Sequence, residues 1–187
     1  MKNIYIVLTR SNTLVSKLIY AATGARYTHA ALAMEADLTN LASFGRKHPD
    51  AMFPAGYVRE SIYEGIMGQS NQMACAVYRI TVSEKNYRAL QAFLSKMDTG
   101  ADQYHYSILG LITCFFGQRY HRQNHYFCSG FVAYALQTAG IPGIPKDHTL
   151  VRPMDFTTMP NARLFFEGTM DDLRTQTKRE PVLGRTT

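Results

Sequence analysis

The stretch from Asn124 to Leu136, NHYFCSGFVAYAL, constrains the fold more than any other. Phe131, Val132, Ala135 and Leu136 recur at helical spacing and make one apolar face, and Cys128 falls in the first turn, directly after Tyr126 and Phe127. A helix of this composition has to be buried, so the rest of the chain must provide a core for it to lie on. First-turn N–H groups have no partner within the helix and stand at the positive end of its dipole, which favours thiolate over thiol at Cys128. Such a sulfur is a nucleophile near neutral pH, and the neighbouring N–H groups can hold the oxyanion that forms when it attacks an acyl carbon. The competing possibility is a small buried hydrophobe, because free cysteine is among the most buried residue types. A histidine elsewhere in the chain decides between the two.

A chain of 187 residues fits one domain with a sizeable core. The expected division is a single domain over 1–174 and a polar C-terminal tail over 175–187. A net charge of +6 is compatible with an anionic partner but too diffuse to specify one. Basic residues in the tail (Lys178, Arg179, Arg185) and the lack of any interleaved aromatic-basic pattern argue against specific nucleic-acid binding. Cys75, Cys114 and Cys128 are too few and too scattered for a disulfide framework, which points to a reducing compartment. The N-terminal MKNIYIVLTRSN has too short an apolar run for a secretory signal, and Ile108 to Phe116 is far below the ~20 residues of a membrane span. The expectation is a soluble cytoplasmic protein with no transmembrane segment.

In chain order, Asn3 to Thr9 reads as a buried strand, followed by a helix with the face Leu14, Val15, Leu18, Ile19 and Ala22 that stops at Gly24. Tyr27 to Glu35 and Asn40 to Arg46 read as a hairpin, with His29 on its first strand and Ser43 on its second. His48 to Tyr57 reads as a loop, and Val58 to Ile66 and Met73 to Val82 as strands. Ser83 caps a helix with the face Tyr87, Leu90, Phe93, Leu94 and Met97. Tyr104 to Phe116 reads as an apolar helix packed under the sheet, with a substrate- or lipid-facing wall as its lesser use, and Cys75 and Cys114 read as core residues. Ala162 to Phe166 is a last short apolar element before a frayed end from about Thr175.

A first-turn cysteine and a histidine on a strand are the minimum for a thiolate nucleophile and its general base. Here the histidine comes first and the cysteine about a hundred residues later, the reverse of papain's order. The series IYIVLTRSNTLVSKLIYAATGARYTHAALAM, followed much later by YFCSGFVAYAL, resembles the permuted NlpC-type papain-like hydrolases. Within them it is most similar to the YiiX/YebB-like group, related to the lecithin:retinol acyltransferase-like proteins. Tyr27-Thr28-His29-Ala30 and Phe127-Cys128-Ser129-Gly130-Phe131-Val132 carry the two matching motifs, and the resemblance covers residues 3–47 and 120–156.

The resemblance implies an α+β, permuted papain-like fold: a small antiparallel sheet packed against helices, with Cys128 as nucleophile and His29 as base. It places the third, imidazole-orienting residue at Ser43 on the strand after the histidine, with Asn40 on the same hairpin as a substitute. Serine departs from the family pattern of His, Glu or Asn, and a hydroxyl stabilises imidazolium less than a carboxylate does. The implied function is cysteine-dependent hydrolysis of an amide or ester, of peptidase or amidase type, without cofactor or metal. Acyl transfer to a lipid or amine acceptor through the same pair, and a non-enzymatic binding module on the same shell, are the alternatives. Peptide, amide and lipid-ester substrates all remain open. His121, His125 and Cys128 form an HxxxHxxC pattern with no evident fourth ligand, which makes a metal site the lesser use of these residues. Tyr106 and Tyr126 are the candidate oxyanion donors.

Overall fold

The structure, a computed structural model, describes residues 1–10, 20, 21, 23–47 and 54–179. The expected first helix, with its face from Leu14 to Ala22, lies outside the described residues, as do positions 48–53 of the expected loop and 180–187 of the expected tail.

β1 (Lys2–Thr9) lies inside the sheet because neither of its faces is polar. Ile4, Ile6 and Leu8 belong to one buried cluster and Tyr5 and Val7 to another, so the strand is an unbroken apolar run rather than an alternating one. It is flanked by β2 (His29–Ala33) and β5 (Ala74–Val82), both antiparallel to it. With β3 (Leu41–Arg46), β4 (Ala55–Glu60) and the short β6 (His105–Tyr106), β7 (His125–Tyr126) and the longer β8 (Ala162–Thr169), the order is β7-β6-β4-β3-β2-β1-β5-β8. Only β6 and β7 run parallel, so the sheet is mixed and the fold is α+β. The expected hairpin of β2 and β3 forms with Leu32 opposite Ala42 and Ala33 opposite Leu41.

Helices cover both faces. On one side, α2 (Glu84–Thr99) and α4 (Cys128–Thr138) bury Leu90, Leu94 and Met97, and Phe131, Val132, Ala135 and Leu136, against β1 to β5. Ser83 caps α2 as expected, its Oγ accepting the Asn86 N–H at 3.1 Å. On the other side, α1 (Gly65–Gly68) and α5 (Met170–Arg179) bring Met67, Met170 and Leu173 onto Tyr5, Val7 and a fully buried Cys75.

Three expectations change. The stretch Tyr104 to Phe116 is not one buried helix. Its first residues extend into β6, Ser107 Oγ accepts the Gly110 N–H at 3.1 Å to start α3 (Ile108–Phe115), and that helix lies outside the core. The sheet face it would have covered is already taken by α2 and α4, so Ile108, Leu109, Ile112, Phe115 and Phe116 stay between 41% and 70% exposed. The strand expected over Val58 to Ile66 begins earlier and stops at Glu60, where a turn leads into α1. The polar residues 175–179 continue α5 rather than fray. Asp171 and Asp172 open that helix and Lys178 and Arg179 close it, matching its dipole, while Arg174 donates to the carbonyls of Ile62, Met67 and Gly68. Among the described residues no helix is long and apolar enough to cross a membrane.

The fully buried Phe131 makes ring contacts with Phe44 on β3, Tyr57 on β4 and Phe93 on α2. Phe131→Ala is expected to cost about 3–5 kcal/mol of stability through lost burial and a residual cavity, read as a lower midpoint in urea unfolding.

Candidate functional site

Cys128 opens α4, and what precedes it leaves the helix start unblocked. Phe127, at the N-cap, is extended (φ −110°, ψ 165°) and offers no side-chain acceptor to the first turn. Ser129 turns inward, its Oγ donating to the Val151 carbonyl at 2.8 Å and fastening the turn to the segment beneath it. The Phe131 N–H returns to the Phe127 carbonyl at 2.9 Å. The Cys128 sulfur, 3% exposed as a residue, takes hydrogen bonds from the His29 ring and from the backbone N–H groups of Ala30 and Ser129.

His29 begins β2 opposite Thr9 on β1. Its ring lies between two partners: the Cys128 sulfur and, through Nε2 at 2.9 Å, Oε2 of Glu60. With Nε2 committed to Glu60, the nitrogen left for the sulfur is Nδ1. Glu60 ends β4 and reaches across β3 above Gly45, where an ideal Cβ would stand 3.7 Å from Glu60 Oε1. A side chain longer than alanine's methyl at Gly45 would compete for that space.

Ser43 does reach the ring, as the longer of two contacts. Its single hydroxyl proton goes to the Ala30 carbonyl at 2.8 Å, and its oxygen stands 3.4 Å from His29 Nε2, against 2.9 Å for Glu60 Oε2. The β2–β3 ladder stops at Leu32 and Ala42, so Ser43 satisfies a carbonyl that lies past its last pair. Asn40 precedes β3 and has no part in the contacts to His29. Glu60 is the shorter contact and joins the serine that was expected alone. It sits one strand further on than the sequence motif suggests, and a carboxylate at the end of the next strand is the only signal that could have identified it.

The electrostatics favour charge separation. Burial pushes the Cys128 thiol up, but the hydrogen bond and positive charge of His29, with the N–H groups of Ala30 and Ser129, outweigh it and lower the thiol below its ordinary value. Burial likewise pushes His29 down, and the charge of Glu60, the hydrogen bonds to Cys128 and Glu60 and the charge of Cys128 together raise it well above an ordinary imidazole. Protonated His29 thus contributes stability that is complete below its unfolded pKa and lost as pH rises through the higher folded value. Ionised Cys128 contributes stability that is complete above the unfolded thiol pKa and lost as pH falls through the lower folded value. The two shifts reinforce one another, the first favouring thiolate over thiol and the second imidazolium over imidazole. Tyr106, on β6, is held protonated by burial and by the negative charge of Cys128, which leaves its phenol a donor. The other thiols behave oppositely: burial drives Cys75 up to about 12 and raises Cys114, with Arg152 opposing the latter.

The HxxxHxxC residues do not converge. His121 meets Asp147 at 3.3 Å, the His125 Nδ1–H donates to the Gln123 carbonyl at 2.7 Å while its ring faces His105, and Cys128 belongs to His29. Among the described residues no group of three or more His, Cys, Asp or Glu side chains is disposed to hold a metal ion. Tyr126 packs between Phe44 and Tyr134 and so serves the core rather than the sulfur. Beside Cys128 opens a cavity of about 730 Å³, walled chiefly by residues 23–28, α3 and residues 152–154.

No protein-family model matches this sequence, and no curated protein matches it.

The lowered thiol has a direct readout. Cys128 is expected to react with iodoacetamide well below pH 8.5, while Cys75 and Cys114 stay slow. In His29→Ala, the Cys128 rate near pH 6.5 should fall about tenfold or more, followed by peptide mapping of the alkylated protein.

Proposed function

We propose that this protein is a permuted papain-like cysteine hydrolase that cleaves an amide or ester through a thioester on Cys128. The observation that supports this most directly is the hydrogen-bonded Cys128 and His29 pair at the open end of α4, with Glu60 on the far side of the imidazole. The histidine-first order on an antiparallel run of strands, with the cysteine helix laid against them, agrees with the permuted architecture.

In this reading the Cys128 thiolate attacks the acyl carbon and its electron pair forms the C–S bond. The carbonyl oxygen takes the displaced charge and is met by the Cys128 N–H and the Tyr106 hydroxyl. As the tetrahedral species collapses, the bond to the leaving oxygen or nitrogen breaks and the His29 imidazolium gives that atom its proton. Water then attacks the thioester, His29 takes the water proton, and release of the acid restores the thiolate and the imidazolium. Glu60 keeps the ring in register and holds its charge throughout. The same pair would pass the acyl group to an alcohol or amine in place of water, and the apolar cavity beside the sulfur, which limits water there, is the observation that favours this second route.

The test is a burst of acyl-enzyme with an activated ester such as p-nitrophenyl acetate, with the acyl group located on Cys128 by mass spectrometry. Cys128→Ala should abolish the burst and His29→Ala should lower kcat about 10²–10⁴-fold. A wild-type protein that never acylates refutes the reading. Added glycerol or an alkylamine separates hydrolysis from transfer by the yield of new ester or amide.

Glu60→Gln should lower kcat/KM about 10–100-fold and move the alkaline limb of its pH profile to lower pH, because the imidazolium loses its carboxylate. Ser43→Ala, which removes a bond to the Ala30 carbonyl and the longer contact to His29, should stay within about fivefold of wild type in the same assay.

A further inference from the structure

The cavity that borders Cys128 is more specific than an open cleft. At about 730 Å³ it falls within the ~300–1,000 Å³ typical of small-molecule sites, and Phe127, Ile108, Leu111, Ile112, Phe115 and Met154 give it a large apolar surface. Its two cations are engaged elsewhere. Arg152 Nη2 donates to the Cys114 and Phe115 carbonyls at 3.2 and 2.9 Å, and Arg26 pairs with Glu167 at 2.9 Å. A peptide laid along such a wall would forfeit hydrogen bonds to water with few offered in exchange, whereas a hydrocarbon forfeits nothing. On α3 the wall turns outward without a change of chemistry: Ile108, Ile112 and Phe115 line the cavity and are also 41–48% exposed, next to the more exposed Leu109 and Phe116.

We propose that the acyl half of the substrate is a hydrocarbon chain that lies in this cavity with its carbonyl at Cys128. The substrate class is then a fatty ester, thioester or amide, and α3 is the edge over which the chain enters. The inference rests on the acyl-enzyme reading above and goes beyond it by assigning the cavity to the acyl side and excluding a peptide from that side. Each methylene drawn from water into the cavity should increase kcat/KM until the cavity is filled.

The experiment is a chain-length series of p-nitrophenyl esters from acetate to decanoate, kept below their aggregation concentrations and repeated with the long ester in phosphatidylcholine vesicles. The expected result is a rise in kcat/KM of about two- to fourfold per methylene and a collapse of the decanoate-to-acetate ratio in Ile112→Asp. Turnover of monomeric ester supports a soluble acyl donor, and turnover confined to vesicles supports a bilayer lipid; either outcome carries the proposal. Short-ester turnover with a flat series, or an unchanged ratio in Ile112→Asp, overturns the chain assignment and leaves the acyl-enzyme reading intact. If no ester is turned over, the acyl-enzyme reading fails, and calorimetric titration with decanoate decides the cavity separately. Failure to bind decanoate, or binding unaffected by Ile112→Asp, overturns the hydrocarbon assignment.

Discussion

The seating of Phe131 governs where the Cys128 sulfur sits. One turn into α4, its ring lies 5.1 Å from Phe44, 5.7 Å from Tyr57 and 6.3 Å from Phe93, centroid to centroid. Those rings belong to β3, β4 and α2, so three separately connected elements fix the roll of the helix about its axis. Aromatic pairs of this kind contribute about 0.5–1.5 kcal/mol each beyond their burial. The same strands deliver Ser43 and Glu60, and β2 beside them delivers His29. The cysteine, the histidine and the carboxylate are thus set by one packed layer and not by loops that would have to find one another.

Burial alone does not make a reactive cysteine, and the three thiols of this chain show the contrast internally. Cys75, Cys114 and Cys128 are 0%, 3% and 3% exposed, yet burial carries the first two up while the third is lowered. The difference lies in what faces the sulfur: a strand interior for Cys75, and an imidazole with two backbone N–H groups for Cys128. His29 depends on Cys128 and Glu60 in the same way, because their charges and hydrogen bonds outweigh the burial that disfavours its protonated form.

The sequence made part of this legible for physical reasons. Cys128 and His29 stand out because their local patterns, a first-turn cysteine before an apolar helical face and a histidine heading a short strand, are self-contained. Glu60 was hidden, since its contact with His29 depends on the order β4-β3-β2 and on the break in the β2–β3 ladder, neither of which is written in residues near it. Ser43 lay on the right strand but spends its proton on the backbone. The apolar run at α3 has the composition of a core helix; what keeps it outside is that α2 and α4 occupy the sheet first, a competition between distant segments that periodicity cannot register. Residues 175–179 show the reverse case: polar by composition, they are helical because Leu173 and Arg174 anchor the turn before them.

Gly130 gives the cysteine motif a second meaning. A Cβ built there would stand 3.1 Å from both the His148 carbonyl oxygen and the Phe127 ring, tighter than side chains normally pack. A larger residue would press the first turn against the 148–151 segment to which Ser129 is tied, and the His148 carbonyl or the Phe127 ring would have to give by a few tenths of an ångström. Two positions after the cysteine, the chain is therefore restricted by volume and not by chemistry. Ile108, Leu109, Ile112 and Phe115 on α3, 41–51% exposed, can change size without pressing on that turn, whereas position 130 has only tenths of an ångström to give.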